Sequence, residues 1–217
     1  MRQSAAWNVL LLVTAILILV PLSGCDQKGE FNPIRSTVLE VPEVYGFWAY
    51  DANGVLIGSW GKPRWRPPEY SSQPNLQGLT SIIYPSPVRS FISSNFRFAV
   101  PEQSRVWMWA VRALGPADIE AQIKNAVGAT YVVPGGAPCK VFLQDSVFTA
   151  GYHEVVWDAK VDGVGLPLPT GFYRVYIYAK GSSRVWESTI DFILWMGEDC
   201  HLIPSELRPY LNCQNMG

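Results

Sequence analysis

The side chains able to do chemistry in this chain are few and widely spaced. Its cysteines are Cys25, Cys139, Cys200 and Cys213, and its histidines are His153 and His201. A thiolate is a nucleophile and a soft metal ligand, but a structural zinc site needs four converging ligands. Cys200 and His201 are adjacent, and no second ligand cluster accompanies them, so no metal centre is expected. Asp158 and Asp162 are oxygen ligands of the kind calcium takes, yet the spacing of an EF-hand is absent. Asp158 is better suited to cap a turn through its carboxylate. Glu198 and Asp199 read as a solvated turn rather than an acid–base pair. The sequence contains no Gly-x-Ser-x-Gly elbow and no phosphate loop. The expectation is a non-enzymatic protein with no dissociable cofactor, a hydrolase being the remote alternative.

One cysteine sits in a context that assigns it a reaction. Arg2 gives a positive start, residues 9–20 are almost wholly apolar, and no charge occurs between Arg2 and Asp26. The run is as long as a signal-peptide core and short of the roughly 20 residues of a comfortable membrane span. Leu22-Ser23-Gly24-Cys25 resembles the bacterial lipobox, in which two small residues precede the cysteine that takes up a diacylglyceryl group. The resemblance implies removal of residues 1–24, lipidation of Cys25 (palmitate among the acyl chains) and a membrane anchor, the covalent lipid being the only prosthetic group. More than one acyl chain makes such an anchor stable. The expected location is the cell envelope outside the cytoplasm, at the outer membrane or the periplasmic side. Asp26 leaves inner-membrane retention open. In that compartment a disulfide is permitted. Cys200–Cys213 is the easier pair, closing a loop of about 14 residues and contributing roughly 3 kcal/mol; Cys139 with either tail cysteine is the competitor.

Positioning elements come from the rest of the chain. Lys and Arg number 17 against 18 Asp and Glu, scattered along the chain, which excludes the basic face that nucleic acid requires. Aromatic and β-branched runs between Pro and Gly breaks predict an all-β fold. Residues 25–43 read as a lipid-proximal tether. Residues 44–80 read as a β-hairpin, with Asn53-Gly54 supplying positive φ angles to its turn, followed by a Pro/Arg-rich linker. Strands are predicted around 95–100, 105–111, 131–133, 140–143, 152–157, 171–178 and 185–192. Ile119, Ile123, Ala126 and Val127 at helical spacing predict a helix over 116–127, ended by Gly128. Residues 194–217 form a cysteine-containing tail with one short helix near 205–211.

Within this pattern, Tyr84-Pro85-Ser86-Pro87 followed by Phe96-Arg97-Phe98-Ala99-Val100-Pro101 resembles the opening of the FlgD-like immunoglobulin-like domain. Ala150-Gly151-Tyr152-His153-Glu154-Val155-Val156-Trp157-Asp158 and Gly165-Leu166-Pro167-Leu168-Pro169-Thr170-Gly171-Phe172-Tyr173 match its second half more closely. The resemblance covers residues 81–193 and implies an immunoglobulin/fibronectin-III-like β-sandwich with an accessory or structural role. It departs at Ala159, where the family has glycine, and in an insertion over residues 115–145. The N-terminal hairpin and the short helix of that insertion are additions to the sandwich.

Strand alternation sends Val106, Met108, Ala110, Tyr173, Val175 and Ile177 inward and Trp107, Trp109, Tyr176 and Tyr178 outward. An outward aromatic face is an apolar patch that needs a reason. Either the hairpin and the helical insertion cover it, or its rings bind a glycan or a partner protein, since Trp and Tyr suit both. Trp60, Trp65 and Tyr70, interleaved with Lys62, Arg64 and Arg66, pin a surface segment to the domain or touch anionic headgroups or cell-wall polymer near the lipid end. Structural, scaffolding or adhesion work with an envelope or surface protein partner is the expected function, and carbohydrate binding the alternative.

Overall fold

The computed structural model describes residues 32–36, 41–64, 78–89, 93–121, 137–158, 168–195, 203, 205 and 207–211. The chain divides into Met1–Asn32 and Pro33–Gly217, and the second unit holds the fold. Its strands are β1 (Gly46–Tyr50), β2 (Leu56–Gly61), β3 (Thr80–Tyr84), β4 (Val88–Arg89), β5 (Ser94–Val100), β6 (Ser104–Arg112), β7 (Pro138–Phe148), β8 (Gly151–Trp157), β9 (Gly171–Lys180) and β10 (Val185–Trp195). Sheet β3-β5-β8 faces sheet β4-β10-β9-β6-β7, and β1-β2 forms a separate hairpin. Among the described strands, all pairings are antiparallel except β4 with β10, which is parallel. This is the immunoglobulin-like sandwich that the sequence predicts.

Period-two alternation builds its core. From β6 and β9, Val106, Met108, Ala110, Tyr173, Val175 and Ile177 meet Ile83, Phe96, Phe98 and Trp157 of the opposite sheet. Trp157 is 1% exposed and lies edge-on to Phe142 and Phe192, with centroids 5.4 and 5.9 Å away. A truncation here would lose the transfer energy of an indole and leave a cavity.

The start of β9 carries the device that fixes the corner between sheets. Tyr173 is fully buried and its hydroxyl donates to Pro169 O at 2.6 Å, four residues upstream, which is the tyrosine corner of immunoglobulin-like domains. Burial drives its pKa upward. Gly171 precedes it at φ 151°, and a Cβ there would fall 1.8 Å from Arg112 Nη1. Arg112 needs that room, because Nη1 also donates to Thr170 O at 2.8 Å. Glycine is therefore required by both conformation and space.

The hairpin turn differs from the expectation in one respect. Asp51 to Val55 separate the paired residues Tyr50 and Leu56, a longer loop than two residues. Gly54 takes φ 78°, but Asn53 is not in the positive-φ region. In a longer loop only the residue after the turn must be left-handed. Asp51 organises the loop instead: its Oδ1 accepts from Asn53 N at 2.8 Å and Val55 N at 2.9 Å. Those bonds lower its pKa, the one from Val55 most.

Of the predicted helices, residues 117–121 are helical, and the tail has a 3-10 turn over Arg208–Leu211. The strand at 131–133 and the remainder of the 116–127 helix lie outside the described residues, as do the signal segment, Cys25, Cys200 and Cys213. No helix among the described residues is long and apolar enough to cross a membrane.

Candidate functional site

The outer face of the five-stranded sheet was the sequence's one prospective site, and its rings are covered. Trp107, Trp109 and Tyr178 are 4%, 2% and 9% exposed and cluster with Val111 and Ile34, with Tyr176 and Val141 packed against them. Trp109 stacks on Tyr176 at 5.5 Å and Trp107 meets Tyr178 edge-on at 5.6 Å, across the β6–β9 register. Their cover is the short helix Pro33–Ser36, through Ile34, together with β7 of the insertion. The rings form a minor core, not an open platform onto which a sugar could stack.

The hairpin covers the other end of the same face. Phe47 and Ala49 of β1 join Phe172, Ile193, Trp195, Ile203 and Leu207, with Ile119 of the insertion at the margin. Trp60 lies between Phe47 and Phe172, at 5.5 and 5.6 Å, so its ring pins β2 to the sandwich. Lys62 and Arg64 are exposed; Trp65, Arg66 and Tyr70 lie outside the described residues. The chain entering the hairpin is fixed by Val44 N donating to Leu114 O at 2.7 Å and Leu114 N donating to Pro42 O at 2.8 Å.

Between the two apolar clusters sits a buried charge pair. Arg174 of β9 donates through Nε to Asp191 Oδ1 at 2.6 Å and through Nη2 to Asp191 Oδ2 at 2.8 Å, with both side chains under a tenth exposed. Nη2 also donates to Glu43 O at 2.9 Å, tying the approach to β1 onto the sheet. Burial opposes the Arg174 charge, but the hydrogen bonds and charge of Asp191 outweigh it and the guanidinium pKa rises. A cleft of about 540 Å³ opens beside the pair, bordered by Glu43, Tyr45, Lys62 and Arg64. Tyr45 donates to Glu43 Oε2, and that bond and charge raise the tyrosine pKa.

No family model and no curated protein matches the chain. The site therefore rests on its own geometry.

The second cleft, about 390 Å³, lies where the hairpin crosses the open side of the sandwich. Two faces of β1 serve two sheets. Phe47 and Ala49 pack on the five-stranded sheet, while Trp48 and Tyr50 pack on Ile82 and Tyr84 of β3. Tyr50 and Ser86 exchange backbone hydrogen bonds of 3.0 and 2.9 Å, clamping the strand end at the crossing from β3 to β4. Beneath β1 the cleft is walled by Leu79, residues 80–82 of β3 and residues 187–191 of β10, with Ser81 Oγ and Ser188 Oγ 2.8 Å apart. Pattern reasoning missed this cleft, because it arises from a hairpin and two strands distant in sequence.

Other polar groups are engaged structurally. On the outside of the three-stranded sheet, Tyr84 donates to Glu154 Oε1 at 2.7 Å, and Arg97 Nε donates to the same oxygen at 2.8 Å. The bond from Tyr84 and then the bond and charge of Arg97 lower the Glu154 pKa. His153 Nε2 lies 2.8 Å from Thr149 O, its ring against Phe98 and Phe148. Glu120, buried, accepts from Gly115 N at 3.0 Å and faces Arg112 at 3.8 Å. Cys139 Sγ sits 3.3 Å from Ala110 O. Asp158 is exposed at the end of β8, and Asp162 lies outside the described residues.

Proposed function

We propose that the chain is a lipid-anchored, non-enzymatic envelope protein whose FlgD-like immunoglobulin sandwich serves as a scaffolding or adhesion module for a partner protein. The observation that carries this reading is the use of the aromatic sheet face. An ordinary immunoglobulin-like sheet leaves its outer face in water, whereas here the helix Pro33–Ser36 packs on it through Ile34. Cys25 lies eight residues before Pro33, a length of chain reaching at most about 28 Å. A lipidated Cys25 would therefore hold the sandwich close to the bilayer. The reading is supported by Trp157 buried in the core and by Tyr173, whose hydroxyl donates to Pro169 O.

Metabolic labelling with a fatty-acid analogue tests the anchor. The intact protein should take up the label and sediment with membranes, and Cys25→Ala should do neither. A wild-type chain that stays unlabelled in cells that label other lipoproteins would overturn it. The carbohydrate alternative is less favoured by the burial of Trp107 and Trp109, and a glycan array reads it directly: saturable binding by the wild-type protein would support it.

A further inference from the structure

We infer that the outward face of residues 41–45 and Leu114, with Lys62 and Arg64 beside it, rests on an anionic phospholipid bilayer, the one that holds Cys25. The inference deepens the membrane anchor proposed above and rests on it.

Backbone pairing gathers the apolar side chains on one face. Glu43 and Leu114 form a parallel bridge, and residues paired across a bridge point the same way. Val41 and Tyr45 stand two residues to either side of Glu43 and share its direction. The intervening Pro42 and Val44 are buried, Val44 among Phe47, Phe172 and Trp195. Their burial turns Val41, Tyr45 and Leu114 away from the sandwich, and these are 40%, 65% and 46% exposed.

Charge selects the occupant. Lys62 N donates to Tyr45 O at 2.9 Å, which sets the lysine beside the tyrosine. Lys62 and Arg64 are exposed, border one cleft with Val41 and Tyr45, and make no ion pair among the described residues. The two carboxylates of that cleft are engaged, Asp191 by Arg174 and Glu43 by the Tyr45 hydroxyl. Unpaired cations beside exposed aliphatic groups and a tyrosine suit the headgroup level of a bilayer. Phosphates meet the cations there, and tyrosine favours that depth. The outer face of the three-stranded sheet also exposes apolar residues, Tyr152 and Val156, but Arg97 between them is paired with Glu154.

The anchor brings the bilayer to the correct side. Tyr176 packs against the cluster that contains Ile34 and also borders the cleft with Tyr45 and Lys62. The helix Pro33–Ser36 and the basic residues therefore lie over the same face of the five-stranded sheet. Pro33 follows Cys25 by eight residues, at most about 28 Å of chain, so a lipid on Cys25 holds this face near the headgroups.

A fluorescent amino acid placed singly at Val41 or at Val156 of the mature lipidated chain, purified from its cells, tests this. Each form is reconstituted into vesicles of phosphatidylcholine alone or of equal parts phosphatidylcholine and phosphatidylglycerol, both carrying a headgroup-level nitroxide quencher. Flotation with the vesicles reads the anchor, and quenching reads the face. With phosphatidylglycerol present, the probe at Val41 should be quenched several-fold more than the probe at Val156. Lys62→Gln combined with Arg64→Gln should lower the face-down population roughly thirtyfold, about fivefold for each cation near a charged bilayer, with the melting temperature unchanged. Raising the salt should act in the same direction on the unaltered chain. Equal quenching at the two positions, or quenching at Val41 that is as strong in phosphatidylcholine alone, overturns the inference while flotation leaves the anchor standing. A chain that floats with neither vesicle overturns both.

Discussion

Removing the Asp191 carboxylate is the sharpest perturbation of the outer layer. In Asp191→Ala the Arg174 guanidinium keeps its bond to Glu43 O and its interaction with Tyr176, and loses a bidentate partner at 2.6 and 2.8 Å. Breaking a buried pair from one side costs about 3–5 kcal/mol, mostly from stranding the remaining charge. The adjoining cleft lets water reach the arginine, which points to the low end, about 3 kcal/mol. Against a total stability of about 5–15 kcal/mol for a domain, that is a large fraction. It should lower the melting temperature by about 6–12 °C for a unit of this size and the urea midpoint by about 1–2 M. Arg174→Met combined with Asp191→Leu should recover most of the loss, since no charge is stranded. Equilibrium urea unfolding of the wild type, Asp191→Ala and the double variant measures all of this. A loss below about 1 kcal/mol for Asp191→Ala would refute the reasoning: the pair would then be solvated and the hairpin layer loosely seated.

Tyr173→Phe deletes the 2.6 Å bond to Pro169 O and should cost about 1–2 kcal/mol in the same unfolding assay, with no change in the sheets by circular dichroism. Trp109→Ala removes a ring stacked on Tyr176 and should destabilise by about 3–5 kcal/mol; a variant of unchanged stability that had lost saccharide binding would make those rings a binding site after all. Tyr50 has a buried hydroxyl with no partner among the described residues, and burial pushes its pKa from 10 up to about 12. Because the folded value is raised, its contribution to stability is intact below pH 10 and drains away as pH rises from 10 to 12. Tyr50→Phe should therefore soften the alkaline loss of stability in pH-dependent melting, and an unaltered profile would contradict that assignment.

Elements were legible in the sequence wherever alternation was strong and sheet faces differed in character. The strands around 95–100, 105–111, 152–157, 171–178 and 185–192 correspond to β5, β6, β8, β9 and β10. Inward residues such as Val106 and Val175 followed from period two alone. The turn at Asn53-Gly54 was legible as a turn but not as to its type, because loop length depends on which residues pair across it. The cover over Trp107 and Trp109 was legible only as a need: alternation exposed the rings and left open what met them. The helix Pro33–Ser36 answers part of that need from a stretch whose composition reads as tether.

Composition and periodicity by themselves determined the all-β class, the sandwich core around Trp157 and the outward set of aromatic rings, because each depends on local chain geometry and on how side chains alternate. Tertiary structure alone decided that those rings are buried, that Arg174 finds Asp191 and the Glu43 carbonyl, and that a cleft opens under β1. Those outcomes join residues up to 131 positions apart. Such contacts form by burying complementary surfaces in three dimensions, and no pattern within a short window of sequence encodes them.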